Sequence, residues 1–178
     1  LGSSIGFATG TCGVVFAIGT KKDAGVLCCS PSMCYLWQKY AAMIKNIFKE
    51  NDVERLKETI RDNHFFVLTC HAGPDGDALG SQIGLKEAIL ATFPTKCVKV
   101  VGDMIERYSW IGIMDEIEDD LYNNALVIVC DSGAEKLISD ERYNKGKFLI
   151  KIDHHIPQGE YGDLVYVDTS RESCAGVI

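Results

Sequence analysis

The sequence predicts an α/β fold with a mostly parallel sheet and helices on both of its faces. Apolar runs of strand length recur along the chain, and segments of helical length lie between them. Parallel strands that are joined through helices are covered on both faces, so each strand forms a nearly continuous apolar run. The chain has 178 residues, of which 47% are hydrophobic, and can therefore bury one core of ordinary size.

The first predicted elements are a helix from Asn51 to Asp62 and a strand from His64 to Cys70. The helix is amphipathic because its apolar residues share one face, at Val53, Leu56 and Ile60. The strand is predicted to be buried because almost all of its residues are apolar.

The later elements alternate between helices and strands. A second helix is predicted from Ala78 to Thr92, and a strand from Cys97 to Val101 follows it. A third helix is predicted from Ala134 to Arg142. The remaining strands are predicted from three further apolar runs, Ala125 to Cys130, Phe148 to Ile152 and Leu164 to Val167. This alternation is typical of a parallel sheet.

Acidic and imidazole side chains follow four of the predicted strands. They are His71, Asp75 and Asp77, then Asp131, then Asp153, His154 and His155, and finally Asp168. Ligands bind outside the carboxyl ends of the strands in open parallel sheets, so we expect these side chains to form one site. A set of carboxylate and imidazole ligands without thiolates favours Mn²⁺ or Mg²⁺ and also suits Zn²⁺ or Co²⁺.

The stretch from His71 to Ser81 places one imidazole and two carboxylates close together. Turn residues such as Gly73 and Pro74 allow the chain to bring Asp75 and Asp77 round to one point. Two carboxylates this close repel each other unless a cation lies between them, which indicates a metal site. The alternative for this stretch alone is an acidic surface turn in which an Asp caps a helix.

Taken together, these motifs resemble those of the DHH phosphoesterases. The motifs are His71-x3-Asp75-x-Asp77, the strand-end Asp131, Asp153-His154-His155 and the strand-end Asp168. Members of the nano-RNase (oligoribonuclease) and pAp phosphatase branch are similar to this chain in Pro74–Ser81, Ile150–His155 and Tyr161–Thr169. The resemblance covers about residues 44 to 178.

The resemblance implies a centre of two Mn²⁺ ions, with Mg²⁺ or Co²⁺ as alternatives. It implies a first metal site made by His71, Asp75 and Asp131. It implies a second site, in which Asp131 is the bridging ligand, made by Asp77, Asp131, His154 and Asp168. Two divalent cations can stabilise both the attacking and the leaving oxygen of a phosphoryl transfer.

The resemblance also implies two catalytic residues beside the metal ligands. Asp153 is expected to orient a neighbouring imidazole. His155 is expected to face the substrate phosphate, as a hydrogen-bond donor or a proton-transfer group.

The activity that the resemblance implies is metal-dependent hydrolysis of phosphoester bonds in very short oligonucleotides, in 3′-phosphoadenosine 5′-phosphate, or in both. The alternatives within the enzyme class are a cyclic-dinucleotide phosphodiesterase and an inorganic pyrophosphatase. The alternative outside that class is a metal-binding fragment without turnover.

The composition limits the partners of the chain. A net charge of −7 argues against binding to long duplex nucleic acid, and it allows a short oligonucleotide or nucleotide once cations supply positive charge. The apolar stretch from Ile5 to Gly19 is shorter than the about 20 residues of a membrane-spanning helix, and no basic region precedes it as in a signal peptide. The eight cysteines are scattered and include no CxxC pair. We expect a cytoplasmic protein, and a fold of this type in a reducing cytoplasm is expected to have no disulfides. The oligomeric state stays open, with a homodimer as one alternative.

We divide the sequence into two parts. Residues 1–42 lie outside the motif pattern and are either non-native sequence or an extra hairpin; their cysteines, Cys12, Cys28, Cys29 and Cys34, do not have the spacing of a zinc site. Residues 43–178 are expected to form the DHH catalytic domain. The second, substrate-binding domain of the family, with its Gly-rich, His-containing motif, is expected to be absent from this chain.

Overall fold

The computed structural model describes residues 6–9, 14–18, 25–28 and 51–178. The chain divides into two compact units, Leu1–Asn51 and Asp52–Ile178. The predicted boundary between residues 42 and 43 lies outside the described residues. All of the predicted site residues belong to the second unit.

The first unit contains a three-stranded antiparallel sheet. Its strands are β1 (Gly6–Thr9), β2 (Val14–Ile18) and β3 (Gly25–Cys28), and β2 lies between the other two. The sequence left an extra hairpin open for this region, and the described strands form two successive antiparallel pairs. Three of the four cysteines that were considered there, Cys12, Cys29 and Cys34, lie outside the described residues.

The second unit is built on a five-stranded sheet in which every neighbouring pair is parallel. Its strands are β4 (Phe65–Thr69), β5 (Cys97–Val100), β6 (Leu126–Cys130), β7 (Phe148–Asp153) and β8 (Leu164–Val167). The order across the sheet is β5-β4-β6-β7-β8. The chain therefore adds β5 on one side of β4 and all later strands on the other. This reversal is a topological switch point, where parallel sheets bind ligands.

One face of this sheet is covered by two α-helices. Residues 51–62 are helical (α1), and the second helix is α2 (Gly76–Thr92). Leu85 and Ile89 of α2 are buried in one cluster with Phe66, Leu68 and other sheet residues, and Leu56 and Ile60 of α1 pack against it. Both helices lie where the sequence predicted them, and the α/β class with a parallel sheet is confirmed.

The other face of the sheet is covered differently from the prediction. Three short 3₁₀ helices lie along the chain that covers it, at Asp119–Asn124, Glu135–Leu137 and Glu141–Lys145. The α-helix predicted from Ala134 to Arg142 was wrong. The Ser139 amide donates to the Cys70 carbonyl at 2.9 Å, and the Ala72 amide donates to the Leu137 carbonyl at 2.6 Å. These backbone groups pair with the end of β4, so they are not available to a helix.

The centre of the sheet is fully buried. All five residues of β6 are inaccessible to solvent, as expected for a central parallel strand. The thiols of Cys70 and Cys130 are buried as well, which confirms that they fill core space. Within the part of the chain that the structure describes, no helix is long and apolar enough to cross a membrane.

Candidate metal centre

The loops after β4, β6 and β7 bring acidic and imidazole side chains together at the carboxyl edge of the sheet. Two groups of side chains could each hold a metal ion, because the possible ligand atoms within each group all lie within 4.8 Å of one another. The first is His71, Asp75 and Asp131, and the second is Asp131, His154 and His155. Asp131 belongs to both groups, so the site is organised around its carboxylate.

Asp131 follows β6 in an unusual backbone conformation. Its φ of 55° lies in the left-handed region, which side chains other than Gly adopt rarely and which often marks functional sites. The side chain is buried, and its Oδ1 accepts no hydrogen bond from any described residue. Burial and the nearby Asp77 carboxylate raise the pKa of Asp131 to about 6. A bound cation would stabilise the ionised form of a buried acid that has an unsatisfied oxygen and a like-charged neighbour.

His71 presents one ring nitrogen to Asp131 and uses the other to fix its orientation. Its Nδ1 lies 2.9 Å from the Ala72 carbonyl oxygen, which can only accept a hydrogen bond. Its Nε2 lies 3.8 Å from Asp131 Oδ2. With Nδ1 protonated in the neutral imidazole, Nε2 keeps a lone pair that can bind a metal.

His154 repeats this arrangement from the end of β7. Its Nδ1 lies 3.3 Å from the Arg171 carbonyl oxygen. Its Nε2 lies 3.5 Å from Asp131 Oδ1 and 3.6 Å from Asp77 Oδ2. Such a hydrogen bond from the far nitrogen to a carbonyl fixes the tautomer of metal-binding histidines.

Asp75 and Asp77 both lie at the N-terminus of helix α2. Asp75 caps the helix, because its Oδ1 accepts hydrogen bonds from the amides of Asp77 and Ala78 at 2.9 and 3.0 Å. The capping role that was the alternative for this stretch is therefore present. It coexists with a place near Asp131, since a carboxylate has two oxygens.

Asp77 is held by the C-terminal segment of the chain. The Cys174 amide donates to its Oδ2 and the Ala175 amide donates to its Oδ1, both at 2.8 Å. Ser81 adds a longer contact of 3.4 Å to Oδ1. Sequence reasoning missed these two amides, because nothing local connects positions almost a hundred residues apart.

Asp153 and His155 form the predicted pair of carboxylate and imidazole. Asp153 is fully buried, and its Oδ1 accepts from His155 Nδ1 at 2.8 Å and from the amides of His154 and His155. Burial lowers the pKa of His155, but Asp153, Asp131 and Asp77 outweigh that effect and raise the pKa. About half of the His155 side chain is exposed, so this imidazole is accessible from outside.

Asp168 lies at the end of β8, at the margin of this group. Its Oδ1 accepts from the amide and the hydroxyl of Ser170, at 3.1 and 2.6 Å. Its Oδ2 lies 3.7 Å from Arg171 Nε. Asp168 is not part of either cluster within 4.8 Å, so its role as a metal ligand stays a prediction.

The donor set fits a divalent cation of the Mn²⁺ or Mg²⁺ type. It contains carboxylate oxygens and imidazole nitrogens, which suit such ions. Burial raises the pKa of the adjacent thiols of Cys70 and Cys174 to about 12, and neither thiol belongs to the two groups of possible ligands. The unsatisfied oxygen of Asp131 marks a position where a cation would complete the bonding.

Comparison with known proteins places the chain in a family. The profile "DHH family, N-terminal domain" matches residues 65–178. The probable bifunctional oligoribonuclease and PAP phosphatase NrnA of Streptococcus mutans is 52% identical over 112 residues, and NrnA of Bacillus subtilis is 44% identical over 112 residues. In both cases the match covers 63% of this chain and 36% of the relative.

A solved structure has the same fold. The crystal structure of an exopolyphosphatase-related protein from Bacteroides fragilis matches with a TM-score of 0.61 and 22% identity, over 70% of this chain and 41% of that protein. The chain thus spans about a third of the length of the NrnA relatives that it matches. The matched residues contain every side chain of the candidate centre. The chain belongs to the DHH family.

Proposed function

We propose that residues 43–178 form the catalytic domain of a metal-dependent phosphoesterase. Its substrates are very short oligonucleotides and 3′-phosphoadenosine 5′-phosphate (pAp). The observation that carries this proposal is the convergence of His71, Asp75, Asp131 and His154 within a segment that is 52% identical to a relative named oligoribonuclease and PAP phosphatase.

The proposed centre holds two divalent cations, Mn²⁺ first and Mg²⁺ or Co²⁺ as alternatives. His71, Asp75 and Asp131 would hold one ion, and the second would be held by Asp77, Asp131, His154 and Asp168. When bound, such cations polarise the phosphate and activate water for attack on phosphorus. Asp131 lies close to His71 and Asp75 of the first proposed site and to His154 of the second, which supports its role as a ligand shared by both.

His155 is the proposed catalytic residue beside the metal ligands. Asp153 accepts from its Nδ1, so its Nε2 is left to donate to a phosphate oxygen. The raised pKa of His155 favours the protonated form, which can donate a hydrogen bond to an anion. Its exposed half gives a substrate access that the buried acids do not have.

The charge of the chain limits the substrate class. An acidic protein of net charge −7 gains nothing from a long polyanion outside the metal centre. A short oligonucleotide or a nucleotide places its few phosphates next to the cations and little charge elsewhere. We therefore propose a cytoplasmic enzyme that acts on short substrates and not on long duplexes.

The test is a product-release assay on the complete protein in Mn²⁺ with four substrates: pAp, a dinucleotide, cyclic di-AMP and pyrophosphate. We expect release from pAp and from the dinucleotide, and loss of both activities when a chelator is added. Preferred turnover of cyclic di-AMP or pyrophosphate would replace the proposal by one of those activities. Metal binding without turnover of any substrate would indicate a binding module.

A further inference from the structure

Lys151 is a buried charged residue in the middle of strand β7. Its relative exposure is 1%, although lysine is almost never fully buried unless it is paired. It aligns with Val129 of β6 and Val165 of β8. An apolar residue at this position would continue the run of the strand without cost, so the lysine requires an explanation.

The ammonium group of Lys151 contacts the end of β7 and the loop after β6. Its Nζ lies 3.4 Å from Asp153 Oδ2 and donates to the Gly133 carbonyl at 3.3 Å. It also lies 4.4 Å from the centre of the Tyr161 ring, within the range of a cation–π interaction. Gly133 lies two residues after Asp131, and Asp153 lies two residues before His155.

The two oxygens of Asp153 therefore face different partners. Oδ1 accepts from His155 Nδ1 and from two backbone amides. Oδ2 accepts no hydrogen bond from the described residues, and Lys151 Nζ, at 3.4 Å, is its ion-pair partner. Two amides and the imidazole thus hold Oδ1, while the Lys151 ammonium group supplies the positive charge beside Oδ2.

Gly133 also connects the loop after β6 with the loop after β7. Its carbonyl accepts from the Gln158 amide at 3.0 Å as well as from Lys151. A Cβ at this position would lie 3.3 Å from His155 Cβ, which is closer than most real contacts. The Gly133 backbone thus packs closely against His155, and its carbonyl is one of the contacts of Lys151.

We propose that Lys151 is a positioning residue for the phosphoesterase reaction: it fixes the carboxylate of Asp153, and through it the ring of His155, against the loop that carries Asp131. This inference rests on the proposed function. Lys151 is buried and does not touch the substrate. Groups that orient a site residue from behind typically change activity 10- to 100-fold when they are removed.

The test compares Lys151→Met with Lys96→Met in the complete protein. Lys96 is the matched control, because it is also buried and its Nζ donates to the carbonyls of Ile60, Arg61 and Asn63, away from the centre. We expect Lys151→Met to lower kcat on pAp in Mn²⁺ by about 10- to 100-fold with KM and metal content unchanged. Lys96→Met should keep kcat, even where it lowers Tm. Equal kcat values in the two variants would overturn the inference.

A double-mutant cycle tests whether Lys151 acts through Asp153. Asp153→Asn alone and Asp153→Asn with Lys151→Met should have the same kcat, since Lys151 has no carboxylate to hold once Asp153 has been replaced. Multiplied losses would overturn the inference.

A second readout does not depend on activity or on a stable variant. In the metal-free wild-type protein, nitrogen-detected NMR should show a slowly exchanging Lys151 ammonium group and a His155 ring with the proton on Nδ1. A rapidly exchanging ammonium signal, as in a solvated lysine, would overturn the inference even if Lys151→Met does not fold. Absent turnover in the wild-type protein would instead reject the proposed function, and the NMR result would still decide the role of Lys151.

Discussion

Two groups of carboxylates in this protein lie in opposite electrostatic surroundings. Around a cleft of about 590 Å³, Asp115 and Asp140 are paired with basic side chains. At the carboxyl edge of the sheet, Asp131 and Asp77 face imidazoles and each other. Lys or Arg thus neutralises Asp115 and Asp140 at the cleft, while Asp131 and Asp77 at the candidate centre have no ion pair with Lys or Arg among the described residues.

The pKa values of Asp140 and Asp131 move in opposite directions for this reason. Burial works to raise the pKa of Asp140, but Arg142 outweighs it through two side-chain hydrogen bonds and lowers the pKa. Burial also raises the pKa of Asp131, and there the Asp77 carboxylate adds to the effect. Acids that a protein keeps close together without basic partners indicate a bound cation, whereas acids with such partners indicate structural roles.

The largest effect is expected from Asp131→Asn. Both proposed metal sites share this carboxylate, so the variant should lose both cations and its turnover should fall to background. The metal-free protein should keep its stability, because the change removes repulsion with Asp77. Metal analysis after dialysis and thermal unfolding measure the two expectations. Unchanged metal content would contradict the assignment of Asp131 as a ligand of both metal sites.

A loss of activity alone is expected from His155→Gln. Positioned proton-transfer groups typically contribute about 10²- to 10⁴-fold to a rate. The variant should lose turnover on that scale and keep its metal content, because His155 approaches Asp131 with Nδ1, which already bonds to Asp153, whereas His71 and His154 approach Asp131 with Nε2. Steady-state kinetics and metal analysis on one preparation test this. Loss of metal would assign His155 to the ligands instead.

A loss of stability alone is expected from Asp140→Asn. The Arg142 guanidinium donates to both Asp140 oxygens, and the Asp140 side chain is almost fully buried. Weakening this pair should lower the free energy of unfolding by about 1–2 kcal/mol, since Arg142 is partly exposed. Urea unfolding measures this value. Asp119→Asn is the matched control, because its contacts with Arg142 and Lys145 lie at the surface and should matter less.

The sequence predicted the features of the fold and of the site that local residue patterns encode. The apolar runs predicted the five strands of the parallel sheet, and the acids at their ends predicted a site at its carboxyl edge. The cover of the second face was not predictable, because residues 137–139 pair with the end of β4 through tertiary contacts. The two amides that hold Asp77 are equally remote in sequence. A local signal did exist for Lys151, a charged residue inside an apolar strand.

The smallest effect is expected from Asp115→Asn, which should change how the stability of the protein depends on pH. Burial tends to raise the pKa of this carboxyl, but the Val100 amide, Lys86 and Lys99 outweigh burial and lower the pKa below its ordinary value. A group whose pKa is lower in the folded state stabilises the protein above the unfolded-state pKa, and this stabilisation is lost as the pH falls through the folded-state pKa.

Asp115→Asn should therefore reduce stability near neutral pH and flatten the loss of stability on acidification below about pH 4. Urea unfolding at a series of pH values, with the wild-type protein in parallel, measures the difference between the two curves. The curves should converge at the acid end, because the wild-type carboxyl is then protonated and no longer attracts the two lysines. Parallel curves over the whole range would mean that the lysine pair does not stabilise Asp115. The acids of the cleft would then differ from those of the metal centre in position but not in electrostatic role.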